Sequence, residues 1–434
     1  MKFFIQTFGC QMNESDSEHI AGILTGLGAE KAGSAEESGL IIVNTCAVRE
    51  KSEEKLYSFL GRMAALKKKT NARIGVVGCV GQLQGADMLK ARPYIDFVLG
   101  PDNYGQLPSL LLDYEEERVA RTSWSREWGV LPDGPPLREN PSSAYVPIMQ
   151  GCDNFCAYCI VPFARGREKC RPLGQILEEI KHLAAEGFKE IQFLGQNVNS
   201  YRDPGTGLPF PGLLSEAGRL DGIEWIRFIT SHPKNFGREI AEAMRDSAKV
   251  CRQLHLPIQA GSSAVLKRMK RGYTREDYME KVLLLRDLMP DISLSTDIIV
   301  GFPGETDAEF SETVEILRQV RFTNIFTFRY SPRPQTQAAK LRDDVPFPVK
   351  RDRLLEVQRL QKQIQLENHA AFVDRTLKVL CSGASKKDAG VFSGRNEGAE
   401  VVNFTDRGNP IGTFVDVRIT GYGPYSLRGK AVDS

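Results

Sequence analysis

Three cysteines within eight residues constrain this chain more than any other feature. They lie in the stretch Gly151 to Pro172, GCDNFCAYCIVPFARGREKCRP. Cys152, Cys156 and Cys159 are spaced C-x3-C-x2-C, so one short loop can bring three thiolates to one point and leave a tetrahedral site one ligand short. Structural zinc is closed by four protein ligands, usually as two spaced pairs. A three-cysteine loop suits instead a 4Fe-4S cluster whose fourth iron stays open to a small molecule. The bland alternative is a chance grouping of buried cysteines, against which stand the tight spacing and the flanking Gly151 and Asp153.

The rest of the composition is compatible with that loop. A chain of 434 residues holds two or three domains, each able to bury its own core. A net charge of +2 neither demands nor excludes nucleic acid, and recognition would need basic residues gathered locally. Nine scattered cysteines, an odd number, and no secretory signal favour a reducing cytoplasm and metal ligation over disulfides. The start, MKFFIQTFGCQMNE, has a short apolar run that polar residues interrupt before a signal core or membrane span is complete, so it reads as a strand of a soluble protein.

Over the first hundred residues, short apolar runs alternate with helical patterns, which is the signature of a parallel α/β sheet. The three strongest runs end in cysteine: FFIQTFG leads to Cys10, LIIVNT to Cys46 and RIGVVG to Cys79. The carboxyl ends of parallel strands line one edge of an open sheet, so three more thiolates converge there. Buried cysteines are common in α/β cores, but the threefold repetition of strand, cysteine and polar turn argues for ligation.

These motifs resemble known families. The cysteine loop, with Phe155 and Tyr158 placing an aromatic directly before the third cysteine, is similar to that of radical S-adenosylmethionine enzymes. That resemblance implies an open iron chelating the methionine amino and carboxylate groups, and one-electron cleavage to a 5′-deoxyadenosyl radical. Its pairing with an amino-terminal three-cysteine domain resembles the methylthiotransferases, in which the positions matching Cys10, Cys46 and Cys79 hold a second 4Fe-4S cluster. GCQMNESDSE and NTCAVRE look like the branch that acts on isopentenyladenosine in tRNA. The ribosomal-protein branch usually reads closer to GCPKN, and the threonylcarbamoyladenosine branch usually differs at Gln11 and Met12.

Four segments follow: an amino-terminal domain over 1–112, a linker over 113–143, a radical S-adenosylmethionine domain over 144–365 and a small β-barrel over 366–434. The linker is rich in charge, Pro and Gly, and its Trp124 and Trp128 either stack on a base or, more simply, pin it to an apolar groove. The central segment repeats strand and helix six times (AYVPIMQ, EIQFLGQN, EWIRFIT, QLHLPIQ, ISLSTDIIV, NIFTFRY), as in an open, partial (β/α)6 barrel whose chemistry sits at the carboxyl ends of the strands. By resemblance, Gln196, Asn197, Ser231, Gln259 and Asp297 face the cofactor; singly, each could equally be a strand-end residue bonded to a loop. His232 and His255 read more simply as structural than catalytic. GFPGET at Gly301 lacks the Lys and spacing of a P-loop and reads as a strand-to-helix turn near the cofactor. Gln11 and Asn13 beside Cys10, and Arg165, Arg167 and Glu168 after the cysteine loop, are expected to meet the substrate.

A basic grouping from Arg329 to Arg353 is a solvated face by default, though a tRNA enzyme needs some such residues for phosphates. The last sixty or so residues are β-rich and resemble the TRAM domain, an RNA-binding, OB-like barrel of five strands. Cys251 and Cys381 read as core, and Cys170 stands where the family commonly has Ser; none receives a role. The resemblance therefore implies methylthiolation of C2 of a modified adenosine next to the anticodon, using two S-adenosylmethionine and two 4Fe-4S clusters. The implied partners are a tRNA anticodon stem-loop, an electron donor such as flavodoxin or ferredoxin, and a sulfur source, for a cytoplasmic monomer with no membrane contact. Two competitors are a methylthiotransferase acting on a ribosomal-protein aspartate or on threonylcarbamoyladenosine, and an RNA-binding iron-sulfur protein without catalysis.

Overall fold

The computed structural model describes residues 1–48, 50–112, 118–128, 135–385 and 388–432, so parts of the expected linker, 113–117 and 129–134, lie outside the described residues. The chain forms two compact units. One comprises 1–139, 149–155 and 159–170; the other comprises 140–148, 156–158 and 171–434. The first unit therefore takes in the expected linker up to Glu139 and much of the cysteine loop.

The first unit is built on a six-stranded, wholly parallel sheet. Its strand order is Glu30–Lys31, Lys2–Phe8, Leu40–Thr45, Arg73–Val77, Phe97–Leu99, Val119–Arg121. Alternation explains why LIIVNT is buried along its whole length. Ile41 and Val43 pack into one apolar cluster with Leu56, Phe59 and Leu60 of the helix Glu50–Thr70. Leu40 and Ile42 pack into another with Ile20 and Leu24 of the helix Gln11–Gly26. A parallel sheet covered on both faces needs such continuous apolar strands. The strands that precede Cys10, Cys46 and Cys79 are immediate neighbours, with Phe8 opposite Thr45 and Asn44 opposite Val77, so their carboxyl ends share one edge.

The second unit carries six parallel strands in two three-stranded sheets. One has the order Trp225–Phe228, Glu190–Leu194, Ser143–Pro147; the other Gln253–His255, Ser293–Val300, Asn324–Arg329. They are continuous through Ile226, which bridges Val250 and exchanges backbone bonds with Lys249 (2.7 Å) and Cys251 (3.0 Å). This is the partial barrel expected from the six strand–helix units. The carboxyl-terminal part is a closed barrel of five strands between Thr376 and Ala431.

The sequence gives no sign of where that small barrel docks. Its turn from Asn396 to Glu400 meets the amino-terminal ends of the large barrel's strands. Arg227 donates to the carbonyls of Glu397 (2.6 Å) and Asn396 (2.7 Å) and to Glu190 (2.6 Å). Ser293 bonds Glu400 at 3.1 Å, and Trp225 packs edge-on against Phe414 at 4.6 Å. Gly398 is required there, because a Cβ would fall 2.5 Å from the Ser293 hydroxyl. The small barrel thus covers the strand starts and leaves the opposite, carboxyl ends to the polar candidates.

Candidate active site

Cys10, Cys46 and Cys79 converge at the carboxyl edge of the first unit's sheet. Cys10 caps the helix Gln11–Gly26 and Cys79 opens the helix Cys79–Ala91, so backbone N–H groups at helix starts favour negative charge on sulfur. Cys10 is drawn down to about 6, first by the hydrogen bond from the Cys46 thiol, against burial, and further by Arg165 and the N–H groups of Asn13 and Met12. Cys46 is raised correspondingly by the same bond and by burial. The pair thus gives up one proton easily and holds the second. Burial raises Cys79, opposed by Arg165, whose Nε donates to its sulfur at 3.2 Å.

Below the sulfurs lies a buried polar layer. Asn13, fully buried, bonds Asn44 at 2.9 Å and lies 3.4 Å from Cys10 Sγ; Asn44 donates back to the Asn13 carbonyl and to Ser17. Arg165 forms a two-pronged ion pair with Asp16 (2.5 and 3.3 Å), and Tyr104 donates to the same carboxylate at 3.2 Å. Gly78 (φ +89°) lets the chain pass Asn44, whose Oδ1 would stand 2.3 Å from a Cβ. The structure places Asn13 and Arg165, two of the residues expected at the substrate, in this buried layer, where Asn13 bonds Asn44 and Arg165 spends its donors on Asp16 and Cys79. Gln11 is half-buried at the helix start.

Within the same unit, the segment flanking the cysteine loop is tied down by one carboxylate. Asp102, buried, receives Lys169 Nζ (2.6 Å), Gln150 Nε2 (2.6 Å) and the Ser125 amide (2.9 Å). The Trp124 ring, exposed on its other side, lies against Gly166, where a Cβ would come within 2.9 Å of it. Arg167 is exposed, paired with Asp153 at 2.6 Å and over the Phe155 ring at 5.3 Å. The Glu168 amide donates to the same Asp153.

In the second unit, Cys156 is buried among nitrogen donors. Arg271 Nη1 donates to its sulfur at 3.3 Å and His232 Nε2 stands at 3.6 Å. His232 Nδ1 accepts from the Lys234 amide at 3.2 Å, and burial with Arg271 and Lys234 pushes the ring down to about 2, so it is neutral with its proton on Nε2. Three buried oxygens at the adjacent strand ends have no hydrogen-bond partner among the described residues: Asn197 Oδ1, Asn199 Oδ1 and Ser231 Oγ. Buried acceptors are rarely left so, and they suit a ligand that brings its own N–H groups, as an amino group would. Thr230, immediately before, holds a left-handed backbone (φ +70°) that a β-branched residue adopts only under constraint, and Gln259 (φ +78°) is similarly held by bonds to Asp297 and Ile299.

Asp297 stands 3.5 Å from His255 Nε2, while His255 Nδ1 meets Ser295 at 3.0 Å. Gln196 is half-buried beside Asn197. The GFPGET segment is a strand-to-helix turn, its Thr306 and Glu309 forming a capping box. Sequence reasoning missed Asp16, Asn44, Tyr104, Asp102 and Arg271, and also Phe326 and Phe328, exposed on one face of the strand Asn324–Arg329. Only Asp16 had a signal: Cys10, Asn13 and Asp16 are spaced as one helix face.

Among the described residues, no group of three or more His, Cys, Asp or Glu could hold a single metal ion. A cluster is a different demand, since each thiolate takes its own iron. The fold and the two cysteine sets define a radical S-adenosylmethionine protein with an additional amino-terminal domain. The radical SAM superfamily matches residues 146–317, the uncharacterized protein family UPF0004 residues 2–100, and the TRAM domain residues 371–432. Among curated proteins, the tRNA-2-methylthio-N(6)-dimethylallyladenosine synthase of Geobacter metallireducens is 46% identical over 98% of this chain and 97% of its own. The protein of that name from Acetivibrio thermocellus is 44% identical over 99% and 91%. The chain belongs to the family of tRNA-2-methylthio-N(6)-dimethylallyladenosine synthases. Among solved structures, the radical S-adenosylmethionine methyltransferase TsrM from Kitasatospora setae superposes with a TM-score of 0.57 at 14% identity, covering 88% of this chain and 79% of that one. The cobalamin-dependent radical enzyme OxsB gives 0.54 at 12%, covering 83% and 56%. At such identities these two share the fold alone.

Proposed function

We propose that this chain adds a methylthio group to C2 of N6-dimethylallyladenosine next to the anticodon of tRNA, in the cytoplasm. The carrying observation is similarity over nearly the whole chain to synthases of that name. In this reading Cys152, Cys156 and Cys159 hold one 4Fe-4S cluster and Cys10, Cys46 and Cys79 a second. When bound, the first supplies the one-electron cleavage of S-adenosylmethionine that adenine C2 requires, being neither nucleophilic nor acidic enough for polar chemistry.

The chain's own residues then do the positioning. Asn197 and Ser231 offer acceptors to the methionine amino group, with Gln196, Gln259 and Asp297 around the same cavity. Arg165 places positive charge beside Cys79, and of the two thiol protons of Cys10 and Cys46 the first leaves easily, while the second, held between the sulfurs, leaves when iron takes its place. A flavodoxin-like or ferredoxin-like donor and a separate sulfur source complete the reaction of a monomeric enzyme. No helix among the described residues is long and apolar enough to cross a membrane. Mass spectrometry of tRNA nucleosides from a strain lacking the gene tests the reading: the methylthio form should vanish and its unthiolated precursor accumulate. An unchanged tRNA profile with an unmodified ribosomal-protein aspartate would overturn it.

Substrate capture rests on Arg167, Glu168 and Gln11 in this proposal. The Arg167–Asp153 pair is exposed, and such pairs add little stability, so the guanidinium exchanges Asp153 for a phosphate at little cost. Arg167→Ala should weaken tRNA binding and reduce the slope of log K against log salt by about one unit. Cluster content should stay at wild type; lost iron with unchanged tRNA affinity would make this arginine a brace. From the basic grouping, Lys350 and Arg353 are spent on Asp343 and on Glu305 and Asp307 in the fold, which leaves the exposed Lys340 and Arg342, and Arg351 in its exposed pair with Asp352, for phosphates.

A further inference from the structure

We infer that Arg271 is a positioning residue that holds a positive charge and an N–H donor against the Cys156 sulfur and thereby raises the reduction potential of the cluster this cysteine holds. The inference rests on the reading of Cys156 as a cluster ligand. Arg271 is buried, and none of its bonds among the described residues goes to a carboxylate. Nε donates to the Tyr273 hydroxyl (2.8 Å) and Nη2 to the Pro257 carbonyl (2.7 Å), while Nη1 reaches both Cys156 Sγ and the Tyr158 hydroxyl at 3.3 Å.

A buried cation without a counter-ion is costly, so a protein retains one only where a negative charge is to be met. Cys156 sulfur is the group in reach that becomes anionic, on ligation. The contrast with Arg165 sharpens the point, since that arginine also donates to a cysteine sulfur but is neutralised by Asp16. Arg271 keeps its full positive charge for the sulfur. The Tyr273 hydroxyl in turn donates to the Ile258 carbonyl at 2.9 Å, and the backbone amide and carbonyl of Ala157 bond Met269 and Ala338, so the fork is held rigidly on a fixed loop. His232 Nε2–H adds a second, neutral donor on the same sulfur.

Hydrogen bonds and positive charge at a ligating sulfur stabilise the reduced cluster, which carries one more negative charge. The test is a dithionite titration followed by electron paramagnetic resonance. The full-length protein carries Ala at Cys10, Cys46 and Cys79, so that only the Cys156 cluster contributes. Arg271→Gln should lower the midpoint by at least a tenfold change in the reduction equilibrium, which is 59 mV for one electron. Iron per chain should be unchanged. Arg271→Lys keeps the charge but loses the fork, and should fall between. If Arg271→Gln does not load iron, the lysine variant decides alone: a lowered midpoint supports the role and a wild-type midpoint overturns it. A wild-type midpoint in a loaded Arg271→Gln protein also overturns it. Failure of the underlying ligand reading shows separately, as no reducible cluster signal in the parent protein.

Discussion

Cys156→Ala should reduce 5′-deoxyadenosine formation to background, while Cys10→Ala should retain it and lose only methylthio transfer. Even the outer partners of metal ligands are worth about 10–100-fold in affinity or activity, and removing a ligand costs more. In the proposed division of labour, Cys156 belongs to the radical-generating set, and its sulfur is where Arg271 and His232 direct their N–H groups. Cys10 belongs to the other set and shares its proton with Cys46, so its loss disturbs the amino-terminal sulfurs. Anaerobic reconstitution should give about eight iron per wild-type chain and about four in either variant. Equal loss of 5′-deoxyadenosine in both variants would contradict the assignment, and a wild-type content near four iron would remove the second cluster.

The six ligand candidates were legible because cysteine spacing and strand-end position are local properties. FFIQTFG, LIIVNT and RIGVVG announce buried parallel strands by their apolar continuity, and adjacency in the sheet then follows from a regular α/β repeat. What surrounds the sulfurs was not legible. Arg165 follows the cysteine loop in a run of charged residues, where nothing in the text separates a guanidinium that turns inward to Asp16 from one that faces solvent like Arg167. Both sit within three positions of each other, yet one is 2% exposed and the other lies open with a side-chain exposure of 74%. Arg271, in KRGY after a short helix, reads as a surface cation, and only the fold reveals that Tyr273 and Pro257 hold it beside Cys156. Buried charge is a property of pairs distant in sequence, which periodicity does not report. The docking of Asn396 to Glu400 beneath the strand starts is likewise a long-range match, here of Arg227 to two carbonyls.

Asp16→Ala should be the most damaging single change that touches no cysteine. Asp16 carries both prongs of Arg165 and the Tyr104 hydroxyl, and all three residues are buried. Deleting the carboxylate leaves an unpaired guanidinium in the core, a change that costs about 3–5 kcal/mol. At roughly 1.4 kcal/mol per tenfold, amide protection in the strand Leu40–Thr45 should fall by about two to three and a half orders of magnitude wherever opening of that unit limits exchange. Replacing both partners by apolar residues of similar size, Asp16→Leu with Arg165→Met, should restore much of that protection, because no buried charge is then left alone. Cluster retention should not return with it. Cys79 still lacks the N–H that Arg165 gave its sulfur at 3.2 Å, so the double variant is expected to be stable yet poor in amino-terminal iron. Hydrogen exchange on strand peptides and iron analysis of the same samples separate the two effects. Wild-type protection in Asp16→Ala would show that Arg165 reaches water or another anion, and full iron in the double variant would remove Arg165 from any role at Cys79.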